Sequence, residues 1–184
     1  MRSPIGLLAL ALTLGACETN DAAAPVDVTI ADLAGSYDLL TVSGTPVNEL
    51  DEWHCVSSTL DLANSGSFEI RHHFVPRVGP GVNEPCSTDP EAFVFDVIWR
   101  GEFSNTSTLV VMTMTETEVA WPDGSESSPR NDQLVGEYNP ETGRLVMSFP
   151  DIWSFNPHGG SGGKISIGSD PRGLGGGVLV FDQN

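Results

Sequence analysis

The chain has 184 residues, with 25 acidic against 8 basic side chains and a formal net charge of −17. That length suits one domain able to bury a real core. A surface so acidic repels phosphate backbones, which excludes nucleic acid as a partner, and it repels anionic headgroups, which excludes membrane attachment through a basic patch.

The chain opens with Arg2 and an apolar run over residues 5–14 rich in Leu and Ala. A positive start followed by a short apolar segment reads as a secretory signal peptide, too short to span a bilayer comfortably. The run closes on Leu14-Gly15-Ala16-Cys17, which resembles the lipobox of bacterial lipoproteins. An ordinary cleavage site that happens to meet a cysteine is the alternative. The resemblance implies removal of residues 1–16, acylation of Cys17 by diacylglycerol and palmitate, and a lipid-anchored protein of the bacterial cell envelope. Glu18 after the cysteine resembles the sorting pattern of relatives released from the inner membrane, which implies the outer membrane as destination. At about 0.8 kcal/mol per buried methylene, two or three acyl chains anchor stably. Residues 17–30 then comprise the lipidated cysteine and a small, polar tether interrupted by Pro25, on the order of 20 Å long.

Residues 31–184 read as a single all-β domain. Helical periodicity is nearly absent, and 20 glycines with 13 prolines punctuate the chain at short intervals. Strands are expected at residues 37–43, 53–62, around Phe68 and Ile70, at 133–138, at 144–149 and at 179–181. The clearest lies at 93–103, where Phe93, Phe95, Val97, Trp99 and Phe103 alternate with Asp96, Arg100 and Glu102. A hairpin turning at Ser104-Asn105 leads into a β-branched strand at 106–117. Asn64-Ser65-Gly66 and Asn139-Pro140-Glu141-Thr142-Gly143 carry the glycine that takes the left-handed turn position. Two long insertions remain: residues 75–92, with four prolines, and the glycine-rich stretch 156–177.

With Cys17 assigned to the lipid, Cys55 and Cys86 remain. In an exported, oxidising compartment two cysteines allow one intramolecular bond. Metal ligation by the pair lacks the usual Cys-x-x-Cys spacing.

About eight short antiparallel strands with one apolar face each must close into a barrel or pack as two sheets. Leu33-Ala34-Gly35-Ser36-Tyr37, followed by Leu39 and Val42-Ser43-Gly44-Thr45-Pro46, is similar to the opening of lipocalin-like bacterial lipoproteins, with Tyr37 in place of the usual tryptophan. This resemblance implies an eight-stranded up-and-down barrel, with a sandwich as the runner-up. It also implies an internal apolar cavity, for which Tyr37, Phe68, Phe93, Phe95, Trp99 and Phe103 are the candidate lining residues. The same aromatics equally suit a dry core, which small barrels usually have.

Motifs for chemistry fail on context. Gly159-Gly160-Ser161-Gly162-Gly163 fits Gly-x-Ser-x-Gly, but a nucleophile elbow needs a strand before it, a helix after it and a downstream histidine, and all four histidines precede it. Around Lys164 a phosphate loop fails, with His158 at the first glycine position and Ile165 at the hydroxyl position. His72-His73 is the nearest metal lookalike, yet adjacent strand residues point to opposite faces. His54 could approach one of them from a neighbouring strand, but no spacing requires it. Carboxylates such as Glu49, Asp51, Glu52, Glu116, Glu118, Asp123 and Glu126 match no calcium loop and suit a charged outer face. No catalytic residue, metal ligand or cofactor is expected.

Two functions remain. One is a lipid-anchored envelope protein that carries a small apolar ligand inside the barrel. The other is an interaction module that contacts another envelope protein through its Pro-rich and Gly-rich loops. An open cavity of several hundred cubic ångströms favours the first, and a core filled by aromatics favours the second.

Overall fold

The computed structural model describes residues 27–149, 153–155, 165–167 and 177–184. The signal peptide, Cys17, most of the tether and Gly159–Gly163 lie outside the described residues. The elements are α1 (Ile30–Leu33), β1 (Gly35–Val42), β2 (Thr45–Pro46), a 3-10 turn (Val47–Glu49), β3 (His54–Leu62), β4 (Ser67–Pro76), β5 (Phe95–Thr106), β6 (Leu109–Trp121), β7 (Gly124–Asn139), β8 (Arg144–Phe149), β9 (Trp153–Phe155), β10 (Ile165–Ile167) and β11 (Gly177–Gln183). Each long strand pairs antiparallel with the next, in the order β1-β3-β4-β5-β6-β7-β8-β11, and β11 returns to pair with β1. The ring is a closed eight-stranded up-and-down barrel, so the two-sheet sandwich is overturned. Closure leaves no unpaired barrel edge at β1, where Tyr37 lies opposite Gln183 and Val42 opposite Leu179.

Inward positions alternate as the pleat requires. Tyr37 and Leu39 on β1, Leu60 and Leu62 on β3, Phe68, Ile70 and Phe74 on β4, and Phe95, Val97, Trp99 and Phe103 on β5 all join one buried cluster. Met112, Met114, Leu134, Leu145, Met147 and Phe181 fill it from the other side. Eight strands enclose a space about wide enough for side chains to fill, and each buried Phe or Met contributes about 1.5–3 kcal/mol.

The two ends differ. One end carries the tight turns after β3, β5 and β7, and α1 lies against it. Thr29 caps α1 in a capping box with Asp32; Leu33 is buried, and its carbonyl accepts from the Tyr37 hydroxyl at 2.6 Å. Asn105 Nδ2 donates to the Val28 carbonyl at 2.6 Å, tying the entering chain to the β5–β6 turn. The other end bears the long connections: residues 47–53, residues 77–94 and the link from β8 to β11.

Several boundaries differ from the sequence expectation. β5 starts at Phe95 and runs to Thr106, and the hairpin turns at Ser107-Thr108 instead of Ser104-Asn105, with Ser107 at φ 53°. β7 begins at Gly124, not at residue 133. Its first residues, Gly-Ser-Glu-Ser-Ser-Pro-Arg, show no apolar alternation because they are exposed and, among the described residues, pair only with β6. A register shift lies between Met114 and Glu116, and Glu116 faces Pro129, a place where a ladder tolerates a residue without an N–H. β10 lies inside the stretch expected to be a glycine-rich loop and pairs with β9.

Two glycines are required by close approach. A Cβ on Gly101 would stand 2.0 Å from the Thr113 carbonyl oxygen, and one on Gly136 would stand 2.0 Å from that of Val146.

Candidate functional site

The aromatic candidates separate. Tyr37, Phe68, Phe95, Trp99 and Phe103 are buried in the barrel core, and Phe74 stacks on Phe95 with centroids 4.6 Å apart. Phe93 stands just before β5, is 43% exposed, and lies 6.1 Å from the Phe95 ring. Two concavities stand out, and both open on the outside. One, of about 650 Å³, is lined by residues including Ser36, Asp61, Glu69, Arg100 and Thr115. The second, of about 730 Å³, lies by the β7–β8 turn and includes Glu137, Pro140 and Arg144.

Inside the barrel lies a buried polar pair that sequence reading did not name. Ser58 and His72 face each other across β3 and β4, both are buried, and Ser58 Oγ lies 2.7 Å from His72 Nδ1. The His72 ring meets Trp99 edge-on at 4.5 Å, while its Nε2 has no hydrogen-bond partner among the described residues. Burial pushes the imidazole down to about 3, so it is neutral at pH 7. His73, its neighbour, points outward to Asp96 at 2.6 Å, so the doublet does face opposite ways. A buried hydroxyl–imidazole pair offers a substrate no approach path, and it carries no reaction here.

The outer wall of β4–β6 holds a ladder of alternating charge. Arg71 bridges Asp96 and Glu69, each at 2.8 Å, and Arg100 bridges Glu69 at 2.8 Å and Glu118 at 2.6 Å. The hydrogen bonds it donates to Glu118 and Glu69 hold the Arg100 guanidinium well above its ordinary range despite some burial. These groups are part-exposed, so each pair contributes at most about 1 kcal/mol.

The loop end is built differently. Cys55 and Cys86 are disulfide-bonded, with Cα atoms 5.7 Å apart, which fixes residues 77–94 against the start of β3. Arg77 lies at the centre of that loop: Nε donates to the Asp51 carbonyl at 3.2 Å, Nη1 to that of Glu84 at 2.7 Å and Nη2 to that of Asn48. Backbone bonds add to the clamp, Arg77 N to Trp53 O at 2.7 Å, Val78 N to Pro85 O at 3.0 Å and Gly81 N to Glu52 O at 2.8 Å. Asp51 accepts from the backbone N–H groups of Trp53 and His54. Burial raises its carboxyl, and the His54 side chain together with those N–H groups outweighs this and leaves it below its ordinary value. What the clamp presents is apolar: Trp53, Val78 and Val82 are 56%, 71% and 37% exposed.

Among the described residues no group of three or more His, Cys, Asp or Glu side chains converges to hold a metal ion, and no helix is long and apolar enough to cross a membrane. Fold and site together define the chain as a closed eight-stranded up-and-down β-barrel with a disulfide-pinned loop surface at one end. Comparison with protein-family models, curated proteins and solved structures finds no match.

Proposed function

We propose that the chain is an exported protein of the bacterial envelope, anchored in the outer membrane through acylated Cys17, and that its barrel is a rigid scaffold for docking another envelope protein at the loop end. The observation that carries this reading is the loop at residues 77–94. A disulfide, three Arg77 hydrogen bonds and several backbone bonds hold Trp53, Val78 and Val82 in solvent. A loop pinned this firmly loses little entropy on binding, and exposed apolar side chains on it favour association. A core occupied by Trp99, Phe95 and their neighbours supports the scaffold over the carrier.

The test is photo-cross-linking in whole cells from a reactive residue placed at Val78, with Leu109, exposed at the opposite end, as the control. A discrete adduct from Val78 alone is expected; no adduct, or the same adduct from Leu109, rejects the docking surface. For the anchor, Cys17→Ser should release the protein from membranes, and unchanged membrane association rejects lipidation.

The second reading, a carrier of a small apolar ligand, draws on the Nε2 of His72 in the barrel interior, which has no hydrogen-bond partner among the described residues. Native mass spectrometry of the Cys17→Ser protein decides it: an added mass removable by organic solvent favours the carrier, and a bare chain favours the scaffold.

A further inference from the structure

We infer that the occupant of the loop-end surface is a basic polypeptide segment carrying apolar side chains; this rests on the docking reading and gives its partner a chemistry.

Two backbone hydrogen bonds assemble the apolar patch. Arg77 N to Trp53 O and Gly81 N to Glu52 O tie the backbone on the N-terminal side of Val78 and of Val82 to the segment that carries Trp53. The indole is itself oriented, since Trp53 Nε1 donates to Glu52 Oε1 at 3.1 Å. Nothing in that geometry serves the core, because the side chains point into solvent.

Charge selects the partner. The two segments that form the surface, residues 47–54 and 77–94, contain Glu49, Asp51, Glu52, Glu84, Asp89 and Glu91, with Arg77 as their one Lys or Arg. That guanidinium donates to three backbone carbonyls, and His54 Nδ1 lies 3.1 Å from Asp51 Oδ1. The contrast with the barrel wall is direct: Glu69, Asp96 and Glu118 are each matched there by Arg71 or Arg100. Carboxylates around an apolar patch, with no Lys or Arg of their own two segments left to neutralise them, complement lysine and arginine from outside. An exposed indole adds a face for a cation. The same carboxylates repel an anionic bilayer, so the apolar residues are not a membrane foot.

The mature chain carrying Cys17→Ser is titrated with a dye-labelled peptide, Lys-Lys-Leu-Gly-Leu-Lys-Lys, and fluorescence polarisation is read. Expected is saturable binding that weakens about tenfold or more in Trp53→Ser/Val78→Ser, as truncation of central anchors does. Leu109→Ser/Val135→Ser, at exposed apolar sites towards the opposite end, should bind as the parent does. Peptides with Leu replaced by Gly, or Lys by Glu, should bind at least about tenfold more weakly. No binding, binding unchanged by Trp53→Ser/Val78→Ser, or preferential binding to phosphatidylglycerol vesicles overturns the inference. An adduct at Val78 in cells with no peptide binding sinks the basic chemistry alone, whereas no adduct sinks the docking reading beneath it.

Discussion

Ser58 and His72 form a hydroxyl–imidazole pair, 2.7 Å between Oγ and Nδ1, buried inside the barrel. The imidazole titrates near pH 6.5 when unfolded but is pushed down to about 3 by burial when folded. Between those values the unfolded chain binds a proton that the native chain refuses, so stability decreases by about 1.4 kcal/mol for each unit the pH is lowered below 6.5. Urea melts at pH 7 and pH 5 should show this loss in the parent. They should show it much reduced in Ser58→Ala/His72→Phe, which removes both partners; an equal loss in that variant rejects the assignment.

Reduction of the Cys55–Cys86 bond, which spans 31 residues, should remove about 3–4 kcal/mol on the chain-entropy account. Denaturant midpoints with and without reductant measure it, and coincident curves contradict it.

Arg77→Met should loosen the loop and leave the barrel alone. Amide exchange at Val78, Gly81 and Glu84, whose N–H groups close the loop onto Pro85, Glu52 and Gly81, should quicken. Amides of β4 and β5 should keep their protection, since local opening and global unfolding are separate events.

Gly136→Ala should destabilise the barrel by about 1–3 kcal/mol, because the new methyl meets backbone and the strands must part. The clash is with the Val146 oxygen, 2.0 Å away, and the Met147 backbone. Gly124→Ala, where nothing lies within 4 Å, is the control and should leave the thermal midpoint nearly unchanged.

The strands were legible because inward positions repeat every second residue: Phe95, Val97, Trp99 and Phe103 declare both the strand and its buried face, while alternation alone left barrel and sandwich open. Assigning Cys17 to the lipid in an oxidising compartment left Cys55 and Cys86 as the one pair to bond. What escaped has a common cause, namely dependence on a partner distant in sequence. The first half of β7 has no apolar face and is a strand only because β6 pairs with it. Ser58 is unremarkable until the β3–β4 register sets it against His72. Arg77 reads as an ordinary surface charge, and its role needs the carbonyls of Asn48 and Asp51 brought beside it. Phe93, which continues the alternation of β5, falls outside the strand as the chain leaves the Pro-rich loop.

The chain's end lies beside its entry into the barrel: Asn184 N donates to the Ser36 carbonyl at 3.0 Å, next to α1 and opposite the disulfide-pinned loop. A fluorescent reporter fused after Asn184 would therefore sit a full strand length from Trp53, able to signal an arriving partner without standing in its way.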